Sequence, residues 1–381
     1  MARALAYSVQ RSPTASAVLG NGLVYDVAII GGGPAGATCA TLCASQGRSV
    51  LLLERSQFPR DKVCGDCLNP LAWIVLEQLG LRERTLFLPH SVLEGVRFIG
   101  TNGLSVRVPL PHSPQPELGI SRSQLDQLLL TRAREAGVII HENTPLKKLR
   151  RLPSGWQLEC DKGVFEAQQL VAADGRNSTV ARQLGLLPPP LADDRIAVQT
   201  HLPQPACLNK DVVLQFVREG YAGLAPIGNN LANLCLVSRP RDLAAIKAWA
   251  TAQFDLSEGQ TWRSIAPLRR MPLAPTQPRL WLTGDTAQVV EPFTGEGIAY
   301  ALRTGALCAE ALLLDNPALY ATRHAALYRG RLWVNHLARW ACLNPKGGSA
   351  LLLLGRVFPP FLQLLTRKVV AKQPLLYPQI P

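Results

Sequence analysis

"LVYDVAIIGGGPAGATCATLCASQGRSVLLLER", residues 23–55, reads as a strand, a tight turn, a helix and a second strand. Val27, Ala28, Ile29 and Ile30 form the short apolar run of a buried strand. Gly31, Gly33 and Gly36 then supply G-x-G-x-x-G as the helix opens, with Ala35 inside the same turn. The first glycine makes the turn, the second lets the backbone approach a pyrophosphate, and the third lets helix and strand pack closely. The phosphates would face the unpaired N–H groups at the positive end of the helix. The second strand, Val50 to Leu53, ends on Glu54 and Arg55. An acid at that place hydrogen-bonds an adenosine ribose hydroxyl. The glycines alone are a weak signal; framed by both strands and Glu54 they indicate a dinucleotide site and leave NAD and FAD open.

Two further segments bear on that choice. "LVAADGRNSTVARQLG" (170–185) is an apolar strand delivering Asp174 and Gly175 ahead of a helix. "LWLTGDTAQVVEPFTGEGIAYALRTGALCAEAL" (280–312) is a strand delivering Gly284 and Asp285, followed by Pro292, Gly295, Gly297 and Ile298 at the start of a long helix. "ISRSQLDQLLLTRAREAG" (120–137) spaces Leu125, Leu128, Leu129 and Ala133 as a helix core face, with Arg122 near its start. A second G-x-G-x-x-G is missing, so a second nucleotide domain is not expected.

In order and spacing these motifs resemble the superfamily of FAD-dependent aromatic hydroxylases and geranylgeranyl reductases, over about residues 24–315. The resemblance implies a Rossmann-like α/β FAD domain, an inserted antiparallel-sheet substrate domain and a helical tail. It implies that Asp285 binds a ribityl or ribose hydroxyl and that Asp174-Gly175 lies between FAD and the path of NAD(P)H. The Gly295–Ile298 helix start would face the flavin N1/O2 edge, and Arg122 would approach the flavin and pyrophosphate. The corresponding domains are 1–23 as an extension, 24–85, 119–187 and 275–315 as the FAD domain, 86–118 and 188–274 as the substrate domain, and 316–381 as a basic helical region.

The inserted stretches alternate as strands. Residues 94–110 read as a hairpin around Thr101-Asn102-Gly103, and strands are expected near 196–202, 212–217, 221–225 and 231–237, with a helix over 241–251. "GYAGLAPIG" (220–228) keeps Tyr221 and Pro226 of the aromatic-rich stretch of prenyl reductases, but has Gly223 and Ala225 where that branch carries Trp and Phe. The W-x-W-x-I-P run of flavin halogenases is absent.

The chain has 381 residues, 47% hydrophobic and 18% charged, enough for two domains and a sizeable core. Nine cysteines without secretory spacing point to a reducing, cytoplasmic compartment with free thiols. The net charge of +13 is concentrated at the ends: nine Lys and Arg, and no acid, follow Asp315. Within "YATRHAALYRGRLWVNHLARWACLNPKGG" (320–348), Leu327, Trp333, Leu337 and Trp340 recur at near-helical spacing with arginines between them. This is a solvated helix packed on the body or a surface for peripheral membrane contact. No nucleic-acid module accompanies the charge. Residues 1–23 read as a disordered extension or a transit peptide.

"DKVCGDCLNP" (61–70) contains a C-x-x-C, Cys64 and Cys67, without the further ligands a metal site needs. It resembles the family's loop over the flavin ring, where Lys or Arg before Cys-Gly marks the reductase-like branch. On that reading Cys64 and Gly65 approach the ring, Asp66 looks into the pocket, Cys67 is incidental, and Tyr221 is a pocket residue. No dedicated general base stands out; His112, His201 and Asp66 are candidates, and a lone histidine is more often structural. Two activities are expected from the resemblance. The first is an NAD(P)H-dependent monooxygenase acting through a C4a-hydroperoxyflavin on an apolar, aromatic or polyketide-like small molecule. The alternative is reduction of C=C bonds in an isoprenoid lipid, which Cys64-Gly65 favours.

Overall fold

The computed structural model describes residues 24–111, 113–189, 194–330 and 332–370; His112, the leading residues 1–23, Arg331 and Lys372 lie outside these. The opening strand, Val24–Ile30, lies in the middle of a parallel sheet. Val50–Leu53 pairs with it on one side and Gly163–Ala172 on the other. Ile139–His141 extends the sheet beyond the first neighbour, and Leu280–Leu282 beyond the second, both parallel. Val27 to Ile30 are buried on both faces, as expected of strands covered from both sides. One face carries the helices Pro34–Ser45, Arg122–Glu135 and Gly297–Leu313. The other carries the ribbon from Lys148–Arg151 and Trp156–Cys160 and the short helix Thr179–Gln183.

The helix after the fingerprint is built from small residues, and Pro34 to Cys43 are all buried. Its partner is the long helix Gly297–Leu313, where a Cβ added at Gly305 would lie 2.3 Å from the Ala35 carbonyl oxygen. Gly305 is what lets the two backbones approach.

The inserted segments form one seven-stranded sheet. Its strands are Ile196–Pro203, Leu231–Ser238, Gly220–Gly228, Asp211–Val217, Gly95–Ile99 and Ser105–Pro109, with Arg263–Ile265 at the far edge. Pairing is antiparallel throughout except between Asp211–Val217 and Gly95–Ile99, which are parallel. Those two come from separate stretches of chain, so no hairpin dictates their direction. The helix Leu243–Phe254 covers the outer face, against Leu224, Leu234 and Leu236. The inner face looks back at the first domain. A three-stranded clasp, Cys67–Leu68, Leu118–Ile120 and His90–Val92, closes the seam between the sheets.

The sequence read one amphipathic helical run over 320–348. The structure divides the region into Pro317–Tyr328, Leu332–Leu343, Pro345–Val357 and Pro359–Val370. The causes are local: Gly330 has φ +76°, and prolines start the last two helices, where a missing N–H costs nothing. Among the described residues no single helix is long and apolar enough to cross a membrane. The last two helices together meet that length and composition, but they bend by 112°.

Candidate functional site

The fingerprint glycines behave as their spacing predicts. Gly31 has φ +105°, and a Cβ there would lie 2.5 Å from the Ala173 carbonyl oxygen. At Gly36 a Cβ would fall 1.9 Å from the Gly31 carbonyl oxygen. A Cβ at Gly33 would meet only the Arg60 guanidinium, at 3.8 Å, so that backbone faces open space. A cleft starts there, between the two parallel strands, with Glu54, Arg55, Arg60, Lys62 and Asp174 in its wall. Glu54 accepts hydrogen bonds from the Gly32 N–H at 2.7 Å and the Ser56 N–H at 2.9 Å, which holds it in the floor of the cleft.

Asp174 accepts from the Thr179 N–H at 2.6 Å and so caps the following helix through Oδ2. Its Oδ1 is buried without a partner, and burial raises its carboxyl above the usual range. The Gly175 N–H donates to Thr286 Oγ1 at 2.8 Å, tying the Asp-Gly turn to the Gly-Asp turn. Asp285 is paired with Arg176 at 3.2 Å.

The cleft continues into a larger cavity under the seven-stranded sheet, and Gly33 and Lys62 line both. Cys64, Gly65, Arg122, Tyr221, Asp285, Pro292, Gly295, Gly297 and Ile298 meet around it. Gly65 and Gly297 have no heavy atom within 4 Å of where a Cβ would stand, so each offers bare backbone to the space. Counted to its open mouth the cavity holds about 1520 Å³.

Charge completes the fit to FAD. Arg60 and Arg122 converge on Asp126, Arg60 at 3.2 Å and Arg122 through two bonds of 2.8 and 2.7 Å. Lys62 stands beside them with its amine lowered to about 8, by burial first and then by repulsion from Arg122 and Arg60. With Glu54 at 3.9 Å from Arg60 as the second carboxylate, three cations face two acids, and a diphosphate supplies the missing negative charge. The bare glycines, the orphaned Asp174 oxygen and this surplus all suit FAD.

Three expectations need correction. Asp66 does not look into the cavity. With φ +54° its backbone turns the carboxylate behind the loop, where Oδ2 meets His201 Nε2 at 3.2 Å and Gln199 Nε2 at 3.3 Å. His201 therefore faces Asp66 and not the cavity. Cys67 is not incidental: it sits in the clasp strand paired to Gly119 and lines the cavity. Cys64 is held differently, its carbonyl accepting from Asn233 Nδ2 and Cys235 Sγ, both at 2.9 Å. A hydrogen bond from Arg122 reaches its thiol, which burial pushes up. No group of three or more His, Cys, Asp or Glu able to hold a metal occurs among the described residues.

Sequence reading missed three features. Lys62 bridges the two halves of the cleft. Phe293 stacks near Phe98 and Phe216 and meets Tyr221 edge-on at 5.1 Å. Beyond Phe293 an apolar channel, about 860 Å³ when counted out to its open mouth, lies beneath the C-terminal helices, walled by Leu214, Leu337, Leu352, Phe361 and Leu365. Val96, Glu117, Leu214, Phe293 and Thr294 border both spaces.

Comparison with known proteins agrees with this geometry. The model of the FAD binding domain family matches residues 24–195. A menaquinone reductase of Mycobacterium tuberculosis is 30% identical over 347 residues, covering 82% of this chain and 79% of that one. Digeranylgeranylglycerophospholipid reductase 1 of Methanothermobacter thermautotrophicus is 28% identical over 310 residues, covering 75% and 76%. Among solved structures, a flavin-dependent brominase superposes with a TM-score of 0.73 at 21% identity, covering 91% and 93%. PqsL, a probable FAD-dependent monooxygenase from Pseudomonas aeruginosa, gives 0.72 at 21%, covering 84% and 97%. The likeness to these two shows the fold.

Proposed function

The chain belongs to the superfamily of FAD-dependent monooxygenases and geranylgeranyl reductases, and from that premise we propose that this FAD-dependent oxidoreductase reduces a C=C bond in an isoprenoid lipid. The carrying observation is the apolar channel that opens from the flavin-side cavity at Phe293 and runs under the C-terminal helices. A compact aromatic substrate needs no such channel; a long, unbranched or prenyl chain does. The sequence put monooxygenation first. The channel and the names of the two relatives favour reduction.

Bound FAD supplies hydride equivalents to the alkene, drawn in turn from NAD(P)H or another donor. The protein's part is placement. Gly31, Gly33, Gly36 and the cations Arg60, Lys62 and Arg122 hold the dinucleotide, while Gly65, Gly295 and Gly297 let backbone close on the ring. Tyr221 and Phe293 seal the cavity against water, and the channel draws the apolar chain in. Burying a hydrocarbon chain there stabilises binding by roughly 0.8 kcal/mol per methylene.

The substrate's source is a membrane surface. Trp333, Trp340, Leu353, Leu354, Val357, Phe358 and Leu364 are exposed on the helices that wall the channel, in the stretch that carries arginine and lysine without any acid. Tryptophan and cationic residues around an apolar face suit an interface lying on an anionic leaflet.

Two assays separate the readings. Purified protein is given NAD(P)H or dithionite and a prenyl glycerolipid, with and without air. Gain of two hydrogens without air supports reduction; a product heavier by one oxygen, formed only in air, supports the monooxygenase reading instead. Flotation with anionic liposomes tests the surface, and equal failure of the full chain and of a chain ending at residue 315 to bind would remove it.

A further inference from the structure

Glu117 has no place in the motifs, and the fingerprint chemistry does not use it. It lies in the proline-rich approach "SPQPEL" to the clasp strand Leu118–Ile120. Its backbone carbonyl accepts from the Leu93 N–H at 2.9 Å, fixing the residue at the seam between the sheets. The side chain borders both the flavin-side cavity and the apolar channel. It is the only titratable side chain among the described residues that line the channel. Its Oε2 is fully enclosed and has no hydrogen-bond partner. A buried carboxyl oxygen without a donor is costly when charged and is tolerable when the group carries its own proton.

From this placement we infer that Glu117 is the proton donor of the reduction: it delivers the second hydrogen of the new C–H pair to a substrate threaded from the channel. The inference rests on the reductase reading. In the step, hydride from reduced flavin forms a C–H bond at one alkene carbon. The π bond breaks, and its electron pair takes the Glu117 proton at the other carbon. The alkene is reduced, the flavin is oxidised, and Glu117 is left as carboxylate, to be reprotonated by water from the cavity mouth.

The surroundings suit a group that holds a proton near neutrality. Burial first, and then the charge of Glu296 at the head of the long helix, together raise the Glu117 carboxyl to about 7. On the clasp strand beside it stands Cys67, itself pushed well up by burial. Across the cavity the charged groups are Lys62, Arg122, Arg176 and Asp285, and the weak acids are Cys64, Cys235 and Tyr221. Those cations are engaged with Asp126 and Asp285, or stand at the dinucleotide end. From the C-terminal helices only apolar side chains and Thr366 face the channel.

The test uses the FAD-loaded full chain and Glu117→Gln, which keeps shape and hydrogen bonding but has no proton to give. Flavin content and flavin reduction by dithionite should match wild type. Reoxidation of the flavin by a prenyl glycerolipid, without air, should fall by about 10²–10⁴-fold, as for loss of a general acid. Glu117→Asp should recover part of the rate. The wild-type rate should fall as pH rises through about 7, and that step should vanish in Glu117→Gln. A second readout needs no substrate: the infrared band of a protonated carboxyl, lost in wild type on raising pH through about 7 and absent in Glu117→Gln. Wild-type rate and an unchanged pH profile in Glu117→Gln would overturn the inference, as would a carboxyl that titrates with ordinary glutamates. A wild-type protein that reduces no isoprenoid overturns the reductase reading, and with it the proton-donor role. An infrared midpoint near 7 in that case would show the carboxyl to be placed as described, so the two failures are told apart.

Discussion

Replacing Glu291 by leucine removes one half of a buried ion pair and leaves the other half in place. Arg195 and Glu291 are joined by two parallel bonds of 2.9 and 2.7 Å, with side chains 3% and 6% exposed. The pair anchors the turn Pro292–Thr294, whose Phe293 stands between cavity and channel. Arg339 approaches the same place, bound only loosely to Asp194 at 3.7 Å, so a freed Arg195 would face a second guanidinium. Breaking a buried pair from one side costs about 3–5 kcal/mol. At about 2–4 °C per kcal/mol, Glu291→Leu should lower Tm by on the order of 10 °C. Thermal unfolding followed by flavin fluorescence measures it, since release of FAD reports the loop and a tryptophan signal reports the body. The double variant Arg195→Met/Glu291→Leu should regain most of the loss, because no charge is then stranded. A single variant within 2 °C of wild type, or a double variant no better than the single, would refute the argument that the pair is closed to water.

Gly36→Ala should purify without flavin, because its methyl would meet the Gly31 carbonyl oxygen at 1.9 Å; absorbance near 450 nm as strong as wild type would contradict this. Lys62→Met should weaken FAD binding about tenfold, for one lost charge contact at roughly 1.4 kcal/mol. With its free amine near 8, Lys62 should make wild-type affinity decline above that pH, and calorimetry on Lys62→Met should show a flatter curve. His324, packed among Tyr320 and Tyr328, is held neutral by burial with its imidazole lowered to about 4. The unfolded chain therefore takes up this proton first, and stability should fall between pH 6.5 and about 4 by at most about 3 kcal/mol; His324→Phe should flatten that limb of a urea-midpoint series. Ala338→Trp in the channel wall should raise KM for long prenyl substrates and leave short ones unaffected, and an equal rise for both would argue against the channel as the chain's path.

The parts of the site read from sequence are those where one residue type is forced by local geometry. Gly31, Gly36, Asp174 and Asp285 each follow an apolar strand at fixed distance, and the turn they make needs little from elsewhere. Asn69, directly before Pro70, has the residue types of a helix start, and its side chain does accept from the Leu71 N–H. The strands near 196–237 were readable from alternation. Glu117 was not, because its environment is assembled by distant segments: the clasp, the long helix start and the tail. The inward turn expected of Asp66 failed on one dihedral angle, which composition does not reveal. The tail reads as one helical run, so neither its breaks at Pro345 and Pro359 nor the hollow beneath it was legible, since a wall and a core face share one apolar pattern.

The close contact between Ala35 and Gly305 has a consequence for how this chain is made. The first helix finds its partner only when synthesis has passed Leu313, and the first strand waits for Ala172 before its second edge is covered. Until then Pro34–Ser45 has its sheet and Arg122–Glu135 to pack on, but its face toward Gly305 stays uncovered. Such long-range closure slows folding and leaves sticky intermediates. Ribosome-bound chains shorter than about 313 residues should therefore occupy a chaperone and resist loading with flavin, whereas a chain released just beyond that point should acquire its cofactor before its tail has folded.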